Sequence, residues 1–271
     1  MNLLKNKDKK IIYYNDKFIL NNEKKNKGFL YGQGCIEEIK ITNNKLNLID
    51  IHIEKLEKNM KSLDIYRKID FYSIINEYTN LKDTENNEYI INIVVNDTEL
   101  YISLDDTREY ENYNKNTYDI KIIESVYHNE LSNYNTINRL TDLLAKKEII
   151  KEQLDDGIYI NREKNITNTI YGNVFFIKKG IINTPKNTLN ILNSVSTECV
   201  KEIINSLGYK IQYGEYKLDD LIDSDGIFIT NIFRKNTINI VRKLNNIEKN
   251  NSENIIEIIK KEYLKKYENM L

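Results

Sequence analysis

The chain has 271 residues, enough for one large domain or two modest ones with a substantial core. Its composition, 40% hydrophobic and 30% charged, is that of a soluble globular protein, and 40 basic against 41 acidic residues exclude a global basic footprint for nucleic acid. No apolar run approaches the roughly 20 residues of a membrane span, the start MNLLKNKDKK lacks the apolar core of a signal peptide, and Cys35 and Cys199 are too few for a disulfide framework, so a cytoplasmic protein with no membrane or nucleic-acid partner is expected.

Asn, Lys and Ile are used so heavily that Asn is a weak local signal. Residues 11–20 (IIYYNDKFIL) read as two short strands joined at Asn15-Asp16. GFLYGQG places three of the nine glycines within seven residues, which implies tight backbone geometry or a close approach. It lacks the context and spacing of a dinucleotide fingerprint. Residues 35–41 form a predicted strand, turned back at Asn43-Asn44 into a second at 46–48. Asp50 then caps a helix whose apolar face is Ile53, Leu56, Met60 and Leu63. His52, in its first turns, reads as a structural hydrogen-bonding residue. A helix near 70–78 and a polar connector at 82–87 lead to strands at 88–95 and 100–104, joined by a turn at Asn96-Asp97. A linker at 119–130 separates a smaller N-terminal α/β domain (1–118) from a larger C-terminal domain (131–271).

Residues 131–147 (LSNYNTINRLTDLLAKK) join a polar lead-in to an amphipathic helix, with Ile137, Leu140, Leu143 and Leu144 spaced for one buried face and Asn135 or Thr136 suited to cap it. A strand at 157–161 turns at 162–165. A hairpin follows over 174–182, turned at Lys179-Gly180 and closed by Pro185, the only proline. Val195, Cys199, Val200, Ile203, Ile204 and Leu207 mark one helical face, ended by Gly208 in a left-handed cap. A strand at 209–213, a short helix at 218–222, a strand at 227–230 and an amphipathic helix over 252–271 complete an α+β order. The tyrosines, Tyr31 among them, read as core and interface filling. His128 is assigned no role, and the scattered histidines and cysteines make no metal site.

Taken together, GFLYGQGCIEEIKITNNKLNLIDIHIEKLEKNMKSL, LSNYNTINRLTDLLAKKE, ITNTIYGNVFFIKKGIINTP, LNILNSVSTECVKEIINSLGYKI and DSDGIFITNIFRK resemble, in order and spacing, the class IV aminotransferases. This pyridoxal-phosphate fold type IV group includes branched-chain and D-amino-acid aminotransferases and aminodeoxychorismate lyase. The resemblance runs from about Ile11 to Val241. It implies a two-domain α+β architecture of fold type IV, pyridoxal phosphate in the cleft between the domains, and a homodimer whose subunits help to close each other's sites.

The residues that carry the family's chemistry differ. Asn135 stands where the family has its Schiff-base lysine, and an amide nitrogen is neither nucleophilic nor able to shuttle a substrate proton. The glutamate that pairs with the pyridine nitrogen corresponds to Asn168, which can hydrogen-bond the ring but cannot hold it protonated by charge. The phosphate-clamping arginine corresponds to Lys55, which keeps the charge without the bidentate fork. Ser194, Val195 and Ser196 take the place of the phosphate cup at a helix start, where backbone amides and a hydroxyl bind anions. Thr230-Asn231 matches a further phosphate-contacting pair, and Gln33 replaces an acidic residue common in the glycine-rich motif. Lys146 and Lys147 lie more than two turns beyond Asn135 and do not substitute for the lysine. The expectation is a catalytically degenerate class IV protein retained for a small anionic ligand or a protein partner, with pyridoxal phosphate bound non-covalently or not at all. The alternative is an amino-acid aminotransferase or 4-amino-4-deoxychorismate lyase with weak or altered chemistry.

Overall fold

The computed structural model describes residues 10–14, 17–21, 26–42, 46, 48–80, 88–106, 114–124, 130–249 and 253–268. The turns expected at Asn15-Asp16 and Asn43-Asn44, the connector at 82–87 and His128 lie outside the described residues. Strands β1 (Lys10–Tyr14) and β2 (Lys17–Asn21) pair antiparallel, as their apolar runs predict. After α1 (Lys27–Tyr31), β3 (Cys35–Thr42), β4 (Glu88–Val95) and β5 (Leu100–Asp106) form an antiparallel sheet in that order. Its turn is built by Asn96, whose side-chain oxygen accepts from the amides of Thr98 (2.8 Å) and Glu99 (2.7 Å).

The strand period of two divides β3 into faces. Cys35, Ile39 and Ile41 point into one core with Ile53, Leu56 and Met60 of α2 (Ile49–Ser62) and Phe71 and Ile75 of α3 (Phe71–Asn80). Ile36, Glu38 and Lys40 are less buried and look the other way. Asp50 does not cap α2: Leu48 holds the cap position in a left-handed conformation (φ +62°), and residues 46 and 48 are not in a strand. The physical reason lies in the large sheet's core, against which the partly buried Leu48 side chain packs. That packing offsets part of the roughly 1–3 kcal/mol of such a strained backbone.

The second sheet has nine strands. These are β6 (Thr117–Glu124), β7 (Asp156–Ile160), β8 (Ile166–Thr169), β9 (Val174–Lys178), β10 (Ile181–Pro185), β11 (Ile211–Gly214), β12 (Gly226–Thr230), β13 (Ile238–Leu244) and β14 (Ile247–Glu248), in the order β11-β10-β9-β12-β13-β6-β7-β8 with β14 on β13. Short apolar runs such as VFFIK and GIFIT are buried along most of their length because both sheet faces are covered. One face packs under α5 (Val195–Ser206) and α7 (Glu253–Tyr263), the other around Leu221 of α6 (Leu218–Ile222). A bridge between Asn168 and Asn173 brings β8 back against the start of β9, so the sheet curls. Chain from Thr117 onward thus belongs to this sheet, and β6 and β13, parallel partners near its centre, are strands that the periodicity did not reveal.

The helix after Asn135, α4 (Leu140–Lys151), contradicts its expected face. Ala145 and Ile149 are buried, whereas Leu140, Leu143 and Leu144 are 62%, 49% and 56% exposed. Neither Asn135 nor Thr136 caps it; Arg139 occupies that position. The lead-in is used for pairing instead: Ile36 N donates to Asn135 O (2.9 Å), and Ile137 N to Gly34 O (3.1 Å). The glycine-rich motif makes this approach possible, since a Cβ on Gly34 would lie 2.8 Å from Ile137 Cδ1. Among the described residues no helix is long and apolar enough to cross a membrane, and no group of three His, Cys, Asp or Glu is placed to hold a metal.

Candidate functional site

Asn135 sits where the lead-in crosses β3, and it is 7% exposed. Its side-chain oxygen accepts from Arg139 Nη1 at 3.3 Å. Arg139 also reaches Glu38 at 3.5 Å and donates through Nε to Asp142 at 2.8 Å, and the Tyr159 hydroxyl donates to Asp142 at 3.0 Å. Burial pushes the Glu38 carboxyl up, and the Arg139 guanidinium opposes that rise. This corner therefore holds an amide, a guanidinium and two carboxyl groups. No amine stands at Asn135, while Lys146 places its ammonium over the Tyr171 ring, 5.6 Å from the centroid, and Lys147 is exposed.

The residues expected to form a phosphate cup, Ser194, Val195 and Ser196, lie at the start of α5. Ser194 is the N-cap, accepting from Thr197 N at 3.2 Å. Its hydroxyl lies 2.9 Å from that of Ser196 and 2.8 Å from that of Thr197, and Thr197 Oγ1 donates to Asn173 Oδ1 at 2.7 Å. Thr230 closes the cluster by accepting from Asn173 N at 3.0 Å. Gly172 permits this contact, because a Cβ there would lie 1.9 Å from the Thr230 carbonyl oxygen. Asn231 Oδ1 accepts from Phe233 N at 2.8 Å, while its buried Nδ2 has no hydrogen-bond partner. Asn168 joins the group through its bridge to Asn173 and donates its side-chain amide to Thr169 O at 2.8 Å.

Hydroxyl protons in this cluster converge on Asn173. The amides of Val195 and Ser196, in the first turn of α5, form no hydrogen bond among the described residues, as is usual for the first turn of a helix. Lys55 makes no hydrogen bond or ion pair there either. Burial pulls its pKa down, and the charges of Glu37, Glu198 and Glu38 act against that fall. Lys55 is thus an electrostatic neighbour of Glu37 and Glu38 on β3 and of Glu198 on α5. His52 has the structural role expected of it, with Nδ1 at 2.6 Å from Glu37 Oε1, a spacing at which the ring donates and the carboxylate accepts.

The amide at Asn135 does not fit a covalently held pyridoxal. Two free amides and an unpaired ammonium are groups of the kind that suit an anion, and Asn135 supplies no nucleophile for a carbonyl. Reading the sequence left out Glu38, Lys40, Arg139 and Asn173. The signal for the first two was present in the alternation of β3, which sets Glu38 and Lys40 on the face opposite Ile39. Arg139, four residues past Asn135, gave no such signal because the helix was expected to begin earlier.

The description of the amino-transferase class IV family matches residues 34–237. An aminodeoxychorismate lyase of Bacillus subtilis is 24% identical over 230 residues, covering 75% of each chain. One from Vibrio harveyi is 31% identical over 94 residues, only 35% of either chain. A hypothetical aminotransferase from Mycobacterium tuberculosis, solved in a PLP-bound form, superposes with a TM-score of 0.75 at 12% identity, covering 90% of this chain and 94% of the other. The fold is the type IV aminotransferase architecture, and the chain belongs to the amino-transferase class IV family.

Proposed function

We propose that this chain is a non-Schiff-base member of its family. It binds a small phosphate-bearing ligand of the pyridoxal phosphate class reversibly, works as a homodimer, and has lost efficient transaminase and lyase turnover. The carrying observation is Asn135, a buried amide held by Arg139 where the family's lysine would act. Without the amine, neither covalent capture of the cofactor nor proton transfer between substrate carbons has a group to perform it. Anion binding is supported by the amides of Val195 and Ser196 and the Lys55 ammonium, which form no hydrogen bond among the described residues. Leu140, Leu143 and Leu144, spaced along one exposed face of α4, support a second copy of the chain as a partner.

Turnover assays test the reading. Amino acid with 2-oxo acid pairs and 4-amino-4-deoxychorismate, the substrate class of the lyase relatives, are offered to the wild type and to Asn135→Lys with pyridoxal phosphate present. The expected result is no efficient turnover by either protein, since Asn168 and Lys55 also depart from the family pattern. Full activity in Asn135→Lys would overturn the claim of a generally altered site, and efficient wild-type turnover would overturn the reading altogether.

A further inference from the structure

The face of β3 turned away from its own core makes three successive ties to the C-terminal domain. Ile36 donates its amide to Asn135, Glu38 faces Arg139, and Lys40 Nζ donates to the carbonyls of Arg234 and Lys235, each at 2.9 Å. The third tie reaches a loop, residues 231–237, that begins at the cup. Asn231 N donates to Thr237 O at 2.8 Å and closes the base of the loop. On its own domain's side, Arg234 Nε donates to the Tyr118 hydroxyl at 2.7 Å and the guanidinium lies over that ring. Lys40 therefore holds the loop from the N-terminal domain while Tyr118 holds it from the large sheet.

Lys40 also lines a cavity of about 40 Å³ with His52, Val195, Ser196, Ile232 and Thr237. That is room for one or two waters, and it brings the inner side of the loop against the start of α5. Asn231, 1% exposed, carries the unpartnered Nδ2, so a small displacement of the loop decides where that donor points. An ammonium bonded to two carbonyls keeps both bonds only while the two domains stay docked.

We propose that Lys40 is a positioning residue: it sets the loop 231–237 against the start of α5 and so couples domain docking to the affinity of the cup for a phosphate-bearing ligand. This rests on the anion-binding reading above. Two of the lysine's donors are spent on loop carbonyls, so it acts through the loop and not through the ligand.

The test titrates pyridoxal phosphate into the full chain as wild type, Lys40→Met and Lys40→Arg, and measures amide hydrogen exchange of each protein without ligand. In Lys40→Met, exchange over 231–237 is expected to rise about tenfold while β9 and β12 keep their protection. Affinity is expected to fall roughly five- to tenfold, and Lys40→Arg, which can still donate to both carbonyls, restores most of both properties. Unchanged loop exchange in Lys40→Met overturns the proposal, as does an affinity equal to that of a wild type that binds. If the wild type binds no pyridoxal phosphate, the anion-binding reading falls instead, and the exchange data alone decide whether Lys40 positions the loop.

Discussion

Arg139 defines what Asn135 now does, since it donates to the amide oxygen at 3.3 Å and is itself fixed by Asp142 at 2.8 Å. A lysine at 135 would remove that acceptor and set a second cation beside the guanidinium. Asn135→Lys is therefore expected to lower stability by about 1 kcal/mol or more in urea unfolding; an equal or higher stability would contradict the role assigned to the pair. A different residue governs the pH response. Asp156 is wholly buried, and burial lifts its carboxyl to about 7 even though Gly157, Thr169, Arg234 and Ile170 act against the rise. A raised carboxyl pKa favours the folded protein at low pH and loses that stability as pH rises from the unfolded value of about 3.9 through the folded one. The loss is at most of order 4 kcal/mol. Melting temperatures of Asp156→Asn minus wild type should thus increase from pH 5 to pH 8, and a difference independent of pH would refute the assignment. Asn135, Asn168 and Lys55 were visible in the sequence as candidates because motif register picks them out without any knowledge of packing. Glu38 and Arg139 were not, because an ion pair across two domains leaves no local pattern.

Among the elements, α5 shows how far local chemistry reaches. Its N-cap Ser194, its apolar stripe and the left-handed Gly208 (φ +76°) can all be read from the stretch 194–208. Ser194→Ala should cost about 1 kcal/mol by chemical denaturation, because Thr197 N and the hydroxyl cluster lose their common partner; no change would mean that the cap is not structural. Gly172→Ala should cost more, since the added methyl meets the Thr230 backbone at 1.9 Å and both sides are main chain. Soluble, fully stable Gly172→Ala protein would contradict the close approach of β9 and β12 described for the cup. Where local signals failed, tertiary packing had overridden them. Leu48 rather than Asp50 starts α2, its partly buried side chain packing against the core under α5 and α7, and the segment 135–137 is drawn out of α4 by pairing with β3. The strand β13, INIVRKL, is hard to recognise because it is buried on both faces for its first half and so does not alternate.

At the scale of the molecule, Leu140, Leu143 and Leu144 form an exposed apolar face on α4, which the proposed homodimer would cover. The wild type is expected to be a dimer by light scattering. Leu143→Glu with Leu144→Glu should give a folded monomer by circular dichroism, while a monomeric wild type would leave that face without its proposed partner. The family fold itself was legible from five motifs in register, since their order and spacing survive even where individual residues such as Asn135 depart from the pattern. The central claim is that this fold holds its ligand without a covalent bond. Its most direct measurement mixes the purified protein with pyridoxal phosphate, records the visible spectrum, reduces with borohydride and weighs the intact chain. A reversible spectral or thermal shift with unmodified mass is the predicted result, the shift following from ligand bound to the folded state alone. A reduced adduct on a specific lysine would show that another amine has taken the place of the one missing at Asn135, and would contradict the account.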